Sequence, residues 1–414
     1  MYFPTVCLTL AVIAAVSATN DTAVIQDISL ADATQLKVPP IVDNELDTVI
    51  FPVYPGTNLT LTPDFQLEDG ATASPASGTT VDLSQPLSYT LTANGSTVAV
   101  WTMSAVHMNS PALPGLYADP NIIAFGKSYY IYSTTDGFPG WAGQVFYVWC
   151  SDDLVTWTRS DEPILTLNGT SGNVPWADGN AWAPTIVERD SKYYIYFSGD
   201  NPTYDRKTIG VAVASSPEGP FTAEPEAMII NGGNETFTVG QAIDPAAFVD
   251  PKTGIHYLFW GNGNALMAEL ADDMTSLKPN TTRKVVGLTN FTEASFVVYR
   301  EPYYHYTYSN GDTDNADYYV GYATAENVTG PWTYRGVVLK ENPVKGILGT
   351  GSSSTLNVPG TDDWYMAYHR FHIPGGNGTD REVCLDRVHF DSNTGVMEVV
   401  HPTLSGILRP EYVS

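Results

Sequence analysis

Positive charge is scarce in this sequence. There are 19 Lys and Arg against 45 Asp and Glu in 414 residues, a formal net charge of −26. Such a surface repels phosphate backbones and anionic bilayers, so nucleic acid and membrane are excluded as partners and a neutral or cationic one is expected. The acidity also keeps an exported protein soluble. Cysteine is scarcer still, with three residues, which excludes a disulfide-stapled scaffold. Cys7 lies in the leader described below. Cys150 and Cys384 sit in strand-like runs, VFYVWCS and REVCLDR, where one disulfide or two buried thiols are both open. Neither run supplies the His or basic neighbours that a metal site or nucleophile needs. Beyond the first twenty residues no run is apolar enough for a transmembrane helix. Long amphipathic helical periodicity is missing too, which removes helical bundles and coiled coils.

Aromatic residues are abundant: 25 Tyr, 15 Phe and 9 Trp, in a chain that is 43% hydrophobic and 15% charged. This composition suits folded β-structure and also surfaces on which sugars stack. The length suggests one large domain plus a small one. The opening MYFPTVCLTLAVIAAVSATN reads as a signal peptide, residues 1–18, cleaved near Ala18, although its first residues carry no Lys or Arg. Asn-x-Ser/Thr triplets at Asn20, Asn58, Asn94, Asn168, Asn234, Asn280, Asn290, Asn327 and Asn377 fit a secreted, extracellular glycoprotein.

Residues 19–115 are rich in Thr, Ser, Ala and Asp, with short alternating runs such as LSYTLTA and TVAVWTMSAV. They read as a small β-sandwich-like module in which Trp101 is either core or a stacking residue, ending in a linker or hinge, NSPALPG (109–115). From 116 to 414 the sequence repeats itself. A short apolar strand is followed by an aromatic one in ADPNIIAFGKSYYIYST, WAPTIVERDSKYYIYFSG, IDPAAFVDPKTGIHYLFWG, TEASFVVYREPYYHYTYS and SSTLNVPGTDDWYMAYHR. Most copies continue into a third strand, as in GQVFYVWCS, TIGVAVAS, ALMAEL and YYVGYAT. Each unit has room for four strands and cannot bury both sheet faces alone. The expected fold is therefore all-β: a five-bladed β-propeller preceded by the small module.

Aligning the copies on their YY, HY or WY pair places Asp119, Ala183, Asp244, Glu293 and Ser354 at one repeat position. If the first strands line a central channel, Asp119, Asp244 and Glu293 converge at one mouth. Any one of them alone could cap a strand or a turn; three in register point to chemistry. Clustered carboxylates cannot all ionise freely, so at least one holds its proton. Glycosidic cleavage needs such a pair. A protonated acid donates to the leaving oxygen while a carboxylate activates water, about 6.5–9.5 Å away in an inverting enzyme.

Residues 116–405 resemble glycoside hydrolase family 43. YADPN (117–121) looks like that family's general-base motif, AIDPA (242–246) like the motif of the Asp that tunes the acid, and TEASF (292–296) like the general-acid motif. The resemblance implies Asp119 as base, Asp244 as tuning residue and Glu293 as acid. Further stretches, DGFPGW (136–141), NAWAPTI (180–186), GILGTG (346–351), YHRFHIPGG (368–376) and REVCLDRVHF (381–390), look closest to arabinofuranosidase-like members. They imply an inverting enzyme that removes α-L-arabinofuranosyl groups from plant arabinan or arabinoxylan, acting as a monomer. By the same analogy Phe138 and Trp182 form the sugar pocket and Arg381 binds sugar hydroxyls; His369, on the inner strand of the last copy, is a further substrate-binding candidate that either faces the axis or is a core histidine. A β-xylosidase, an endo-arabinanase and a non-catalytic glycan-binding propeller remain open. No organic cofactor is implied. Many relatives carry a His just after GTG that is associated with an axial metal ion, whereas this chain has Ser352 there, which weakens the case for a central Ca²⁺. The Asn290 sequon lies three residues before Glu293, so a glycan there is expected to be missing or to point away.

Overall fold

Alternate residues of the aromatic strands point into two different seams, which is why these strands are apolar on both faces. In the computed structural model, which describes residues 25–232 and 237–408, each repeat is an antiparallel sheet. The signal peptide, Cys7 and the sequons at Asn20 and Asn234 lie outside the described residues. The first strands of the five sheets are β1 (Tyr117–Phe125), β2 (Trp182–Arg189), β3 (Ala246–Val249), β4 (Glu293–Arg300) and β5 (Gly351–Asn357). Their aromatic partners are Ser128–Thr135, Lys192–Asn201, His256–Trp260, Tyr303–Asn310 and Trp364–Phe371. The fifth sheet has three strands and the others four or more.

Tyr130 and Tyr132 pack with Ile195 and Phe197 of the second sheet, while Tyr129 and Ile131 turn to Tyr365 and Ala367 of the fifth. Tyr194 and Tyr196 meet Leu258 and Trp260, Phe259 meets Tyr306, and Tyr322 meets Met366 and Tyr368. Each sheet thus packs on the next, and the fifth packs on the first. A period-2 strand buried on both faces needs apolar residues at every position. Each fully buried ring contributes roughly 1.5–3 kcal/mol relative to exposure.

The first strands are bulged where they approach the common axis. Pairing slips between Ala118 and Asn121, between Trp182 and Thr185, between Glu293 and Phe296, and between Gly351 and Ser354. Asp119, Ala183, Asp244, Ala294 and Ser352 all have positive φ at this point. This corrects the alignment made on the aromatic pairs. The residue equivalent to Asp119 and Asp244 is Ala294 rather than Glu293, and Ser352 rather than Ser354. Glu293 occupies the preceding position, shared with Ala118, Trp182, Ile243 and Gly351. A bulge inserts an extra residue and re-aims its neighbours, so both positions can face the same opening.

The N-terminal module has a five-stranded sheet in which Thr48–Val53 runs parallel to Ser96–His107. Trp101 is buried in its core with Phe51, Tyr89 and Leu91, so it is not a stacking platform. The segment 109–115 is not a loose hinge. The Ser110 amide donates to the Leu404 carbonyl and the Ala112 amide to Val383 of the fifth sheet, and Leu113 is fully buried. Cys150 and Cys384 belong to different sheets and are both free thiols.

Candidate active site

The bulges create a problem that the side chains solve one sheet at a time. At each bulge a backbone N–H faces the preceding sheet, and a side chain on that sheet's aromatic strand accepts it. The Asp119 amide donates to His369 Nδ1 (3.3 Å), Ala183 to Thr134 Oγ1 (2.9 Å), Asp244 to Ser198 Oγ (3.1 Å) and Ser352 to Ser309 Oγ (2.8 Å). The third sheet has Gly261 at this station, its amide donating to the Ile243 carbonyl, and glycine has no acceptor to offer. Its φ of 124° and the nearby Asn264 carbonyl leave no room for a side chain. The fifth amide, that of Ala294, therefore turns to the Asp244 carboxylate, donating to Oδ2 at 3.0 Å. This ties Asp244 to the peptide unit immediately after Glu293.

The three carboxylates meet in one cleft of about 350 Å³. Asp119, Asp244 and Glu293 line it together with Trp141, Trp182, Asn262, Tyr318, Ser352 and Arg381. Their environments differ. Asp119 is enclosed, and burial alone would raise its pKa; Arg381, His369 and the Thr134 hydroxyl outweigh that and hold it well below the usual carboxylate range. The Thr134 hydroxyl donates to Oδ2 at 2.7 Å, and Arg381 Nη1 lies 3.6 Å from Oδ1. Glu293 moves the other way. Burial raises it, although Tyr318 OH donates to Oε1 at 2.8 Å and Asn262 Nδ2 to Oε2 at 2.9 Å. Asp244 is also raised, by burial and by the charges of Glu293 and Asp119. Asp244 and Glu293 are thus both pushed above the usual carboxylate range beside an Asp119 held below it.

The other sequence-derived site residues divide. Trp182 lines the cleft, and its Nε1 donates to the Trp141 carbonyl at 2.7 Å. Arg381 also lines it, but most of its donors are already used: Nε and Nη2 hold both oxygens of buried Asp136, at 2.8 and 3.2 Å. Phe138 does not line the cleft and is 43% exposed. Its place is taken by Trp141, which has a φ of 54° and donates through Nε1 to the Gly378 carbonyl at 2.7 Å. His369 is fully buried behind Asp119 and does not line the cleft. Burial and Arg381 lower its pKa, and its Nδ1 lies 3.3 Å from the Asp119 amide nitrogen and 3.2 Å from Asp119 Oδ1. Its ring stacks on Tyr318 with centroids 5.8 Å apart.

Sequence reasoning missed Tyr318, Asn262, Asp136 and Thr134. Thr134 and Asp136 had a signal, since they bound the aromatic strand of the first repeat and the DGFPGW motif. Tyr318 and Asn262 come from loops of unequal length that no repeat alignment aligns. Asn290 is exposed, two residues before Thr292, which lines the cleft.

Below the cleft, three residues from each first strand (119–121, 183–185, 244–246, 294–296 and 352–354) enclose a space of about 30 Å³. Its neutral oxygens are engaged between sheets. Asn121 Oδ1 accepts the Ile186 amide, Thr185 Oγ1 the Ala247 amide and Ser354 Oγ the Ile122 amide. Among the described residues no cluster of three His, Cys, Asp or Glu could hold a metal ion.

Chemically, a carboxylate held below the usual range and one pushed above it flank a cavity walled by two indoles. Comparison with known proteins agrees with this chemistry. The family model for glycosyl hydrolases family 43 matches residues 108–395, and a model described as SGBP, N-terminal, matches residues 28–105. A β-D-galactofuranosidase of Aspergillus niger is 32% identical over 321 residues, covering 74% of this chain and 88% of that protein. A xylosidase/arabinosidase of Bacteroides ovatus is 29% identical over 339 residues, covering 69% and 96%. Among solved structures, a β-xylosidase/α-arabinofuranosidase from a compost metagenome, in complex with xylotriose, superposes with a TM-score of 0.59 at 26% identity. It covers 71% of this chain and 97% of that one.

Proposed function

We propose that this chain, which belongs to glycosyl hydrolase family 43 and is a glycoside hydrolase, is a secreted, inverting, exo-acting α-L-arabinofuranosidase that works on plant arabinan or arabinoxylan. The five mutually packed sheets are read as the blades of a five-bladed propeller with the cleft at one mouth of its axis. The observation that carries the reading is the opposite displacement of two carboxylates in one cleft, Asp119 downward and Glu293 upward. An acid and a base must be protonated and ionised at the same pH, and environments that push two carboxyls apart achieve that.

Asp119 removes a proton from a water as the water's oxygen forms a bond to the anomeric carbon. Glu293 gives its proton to the departing glycosidic oxygen as that bond breaks. Asp119 ends protonated and Glu293 ionised, and exchange with solvent restores both. Burial and the charge of Asp119 raise the cost of ionising Glu293, and the charge of Glu293 raises that of Asp244. Trp141 and Trp182 supply stacking faces, and Arg381 keeps Asp119 ionised. The carboxylates carry every step, and none is routed through a metal.

A second reading has a specific observation behind it. The Aspergillus niger relative is a β-D-galactofuranosidase. A β-D-galactofuranosyl ring has the ring configuration of an α-L-arabinofuranosyl one with a longer exocyclic arm, so one furanose pocket can serve both. Hydrolysis of the 4-nitrophenyl α-L-arabinofuranoside, β-D-galactofuranoside and β-D-xyloside, with the product anomer followed by NMR, ranks the readings. The arabinofuranoside is expected to be cleaved fastest, with inversion, and Glu293→Ala and Asp119→Ala each to lose at least about a hundredfold in rate. A faster galactofuranoside or xyloside overturns the substrate assignment. Binding of arabino-oligosaccharide without turnover of any of the three overturns catalysis.

A further inference from the structure

We infer that the N-terminal module is a clamp on the rim of the catalytic cleft rather than a separate glycan-binding unit. The inference rests on the cleft being the substrate site. A glycan-binding module needs exposed aromatic faces. Of the five aromatics among its described residues, Phe51, Phe65, Tyr89 and Trp101 are buried, leaving only Tyr54 exposed.

What the module does present is an apolar edge against two catalytic segments. Val38, Ile41, Ile50 and Val106 pack on a cluster containing Ile347, Ile373 and Leu404. Ile41 also reaches Gly346, within 3.3 Å of where a β-carbon would stand. Ile347 begins the segment that enters β5 and delivers Ser352 to the cleft. Ile373 belongs to the hairpin 372–380, whose far side packs on Thr313 and Asp314. There the Gly378 carbonyl accepts from Nε1 of the cleft-lining Trp141, the Thr379 carbonyl accepts from the Gly137 amide, and Arg381 follows two residues after Thr379.

Beneath the hairpin lies a cavity of about 480 Å³, lined by Lys37 and Val38 of the module and by His372, Ile373, Asp380 and Glu382. The hairpin is therefore held at its edges instead of by solid core. One edge is the module, where Lys37 lines this cavity beside Glu382 and its Nζ donates to the carbonyl of Ser110 in the docked linker at 3.4 Å. The other edge is the sugar-binding rim. Loosening the first should displace the second, because Trp141 and Arg381 are both anchored through this hairpin.

The test uses the full chain carrying Ile41→Ser, with Lys37→Gln as a milder seam variant, Ile41→Val as a conservative variant and Val100→Ser as a control on the module's exposed face. Hydrogen exchange of segments 136–141 and 372–381 is read beside KM and kcat on the aryl arabinofuranoside. For the two seam variants we expect faster exchange in both segments and KM raised by at least roughly threefold with a smaller change in kcat, while Ile41→Val and Val100→Ser behave as wild type. Unchanged exchange and KM in the seam variants overturn the clamp, whether or not arabinan binding falls. If the wild type cleaves no aryl glycoside, the functional reading fails, and the exchange measurement alone then decides the clamp.

Discussion

Asp244 Oδ2 accepts the backbone amide of Ala294 at 3.0 Å, so the carboxyl whose ionisation Glu293 opposes also holds the peptide unit next to Glu293. Gly261 makes this necessary by leaving the amide without the side-chain acceptor that the other four sheets provide.

Asp244→Asn and Asp244→Ala should therefore separate charge from positioning. Asn keeps an oxygen for the Ala294 amide, while Ala leaves a buried N–H unpaired at a cost of about 1–3 kcal/mol. Denaturant unfolding is expected to show that loss for Ala only. Both variants remove the same titrating carboxyl, so a change in the kcat/KM pH profile that they share reports its charge, while a change confined to Ala reports its positioning. Equal stability of the two variants would remove the positioning role.

Tyr318→Phe should shift the alkaline limb of the kcat/KM profile. The Tyr318 hydroxyl donates to Glu293 Oε1 and so favours the ionised form. Without it the carboxyl's pKa rises further, and the alkaline limb moves to higher pH. The ring and its stack on His369 are retained, so the melting temperature should change little. A pH–rate profile that matches wild type counts against Glu293 as the acid.

Arg381→Gln should move the acid limb upward. Arg381 is a main reason that Asp119 stays ionised, so its loss lets Asp119 take up a proton at higher pH. The same change strands buried Asp136, whose pKa burial already raises against the pull of Arg381. Removing one partner of a buried pair costs about 3–5 kcal/mol, which urea unfolding would register. An unshifted acid limb would argue that Asp119 is not the base.

Trp141→Ala should raise KM by at least roughly tenfold, since it removes a cleft wall, and Phe138→Ala should leave KM within about twofold of wild type. Steady-state kinetics on the aryl glycoside suffice. The reverse order would restore Phe138 as the pocket residue.

The sequence by itself determined the β-rich repeats, their number and the identity of all three carboxylates. The physical reason is local. A strand buried between two neighbours must be apolar at every position, so YYIY, YYIYF and HYLFW stand out, and Asp119 and Asp244 each precede a proline, 10 and 12 residues before their aromatic pairs. Tertiary structure decided what depends on geometry across sheets. The bulge puts Glu293 one position before its apparent equivalents, because a register slip leaves no trace in residue spacing. The positive φ values at Gly140 and Trp141 turn the second aromatic of FPGW into the cleft and leave Phe138 outside. Tyr318, Asn262 and the Arg381–Asp136 pair meet the carboxylates only through folded loops of unrelated length. Whether a carboxyl is an acid or a base here follows from those neighbours, and the chain order of the residues does not contain it.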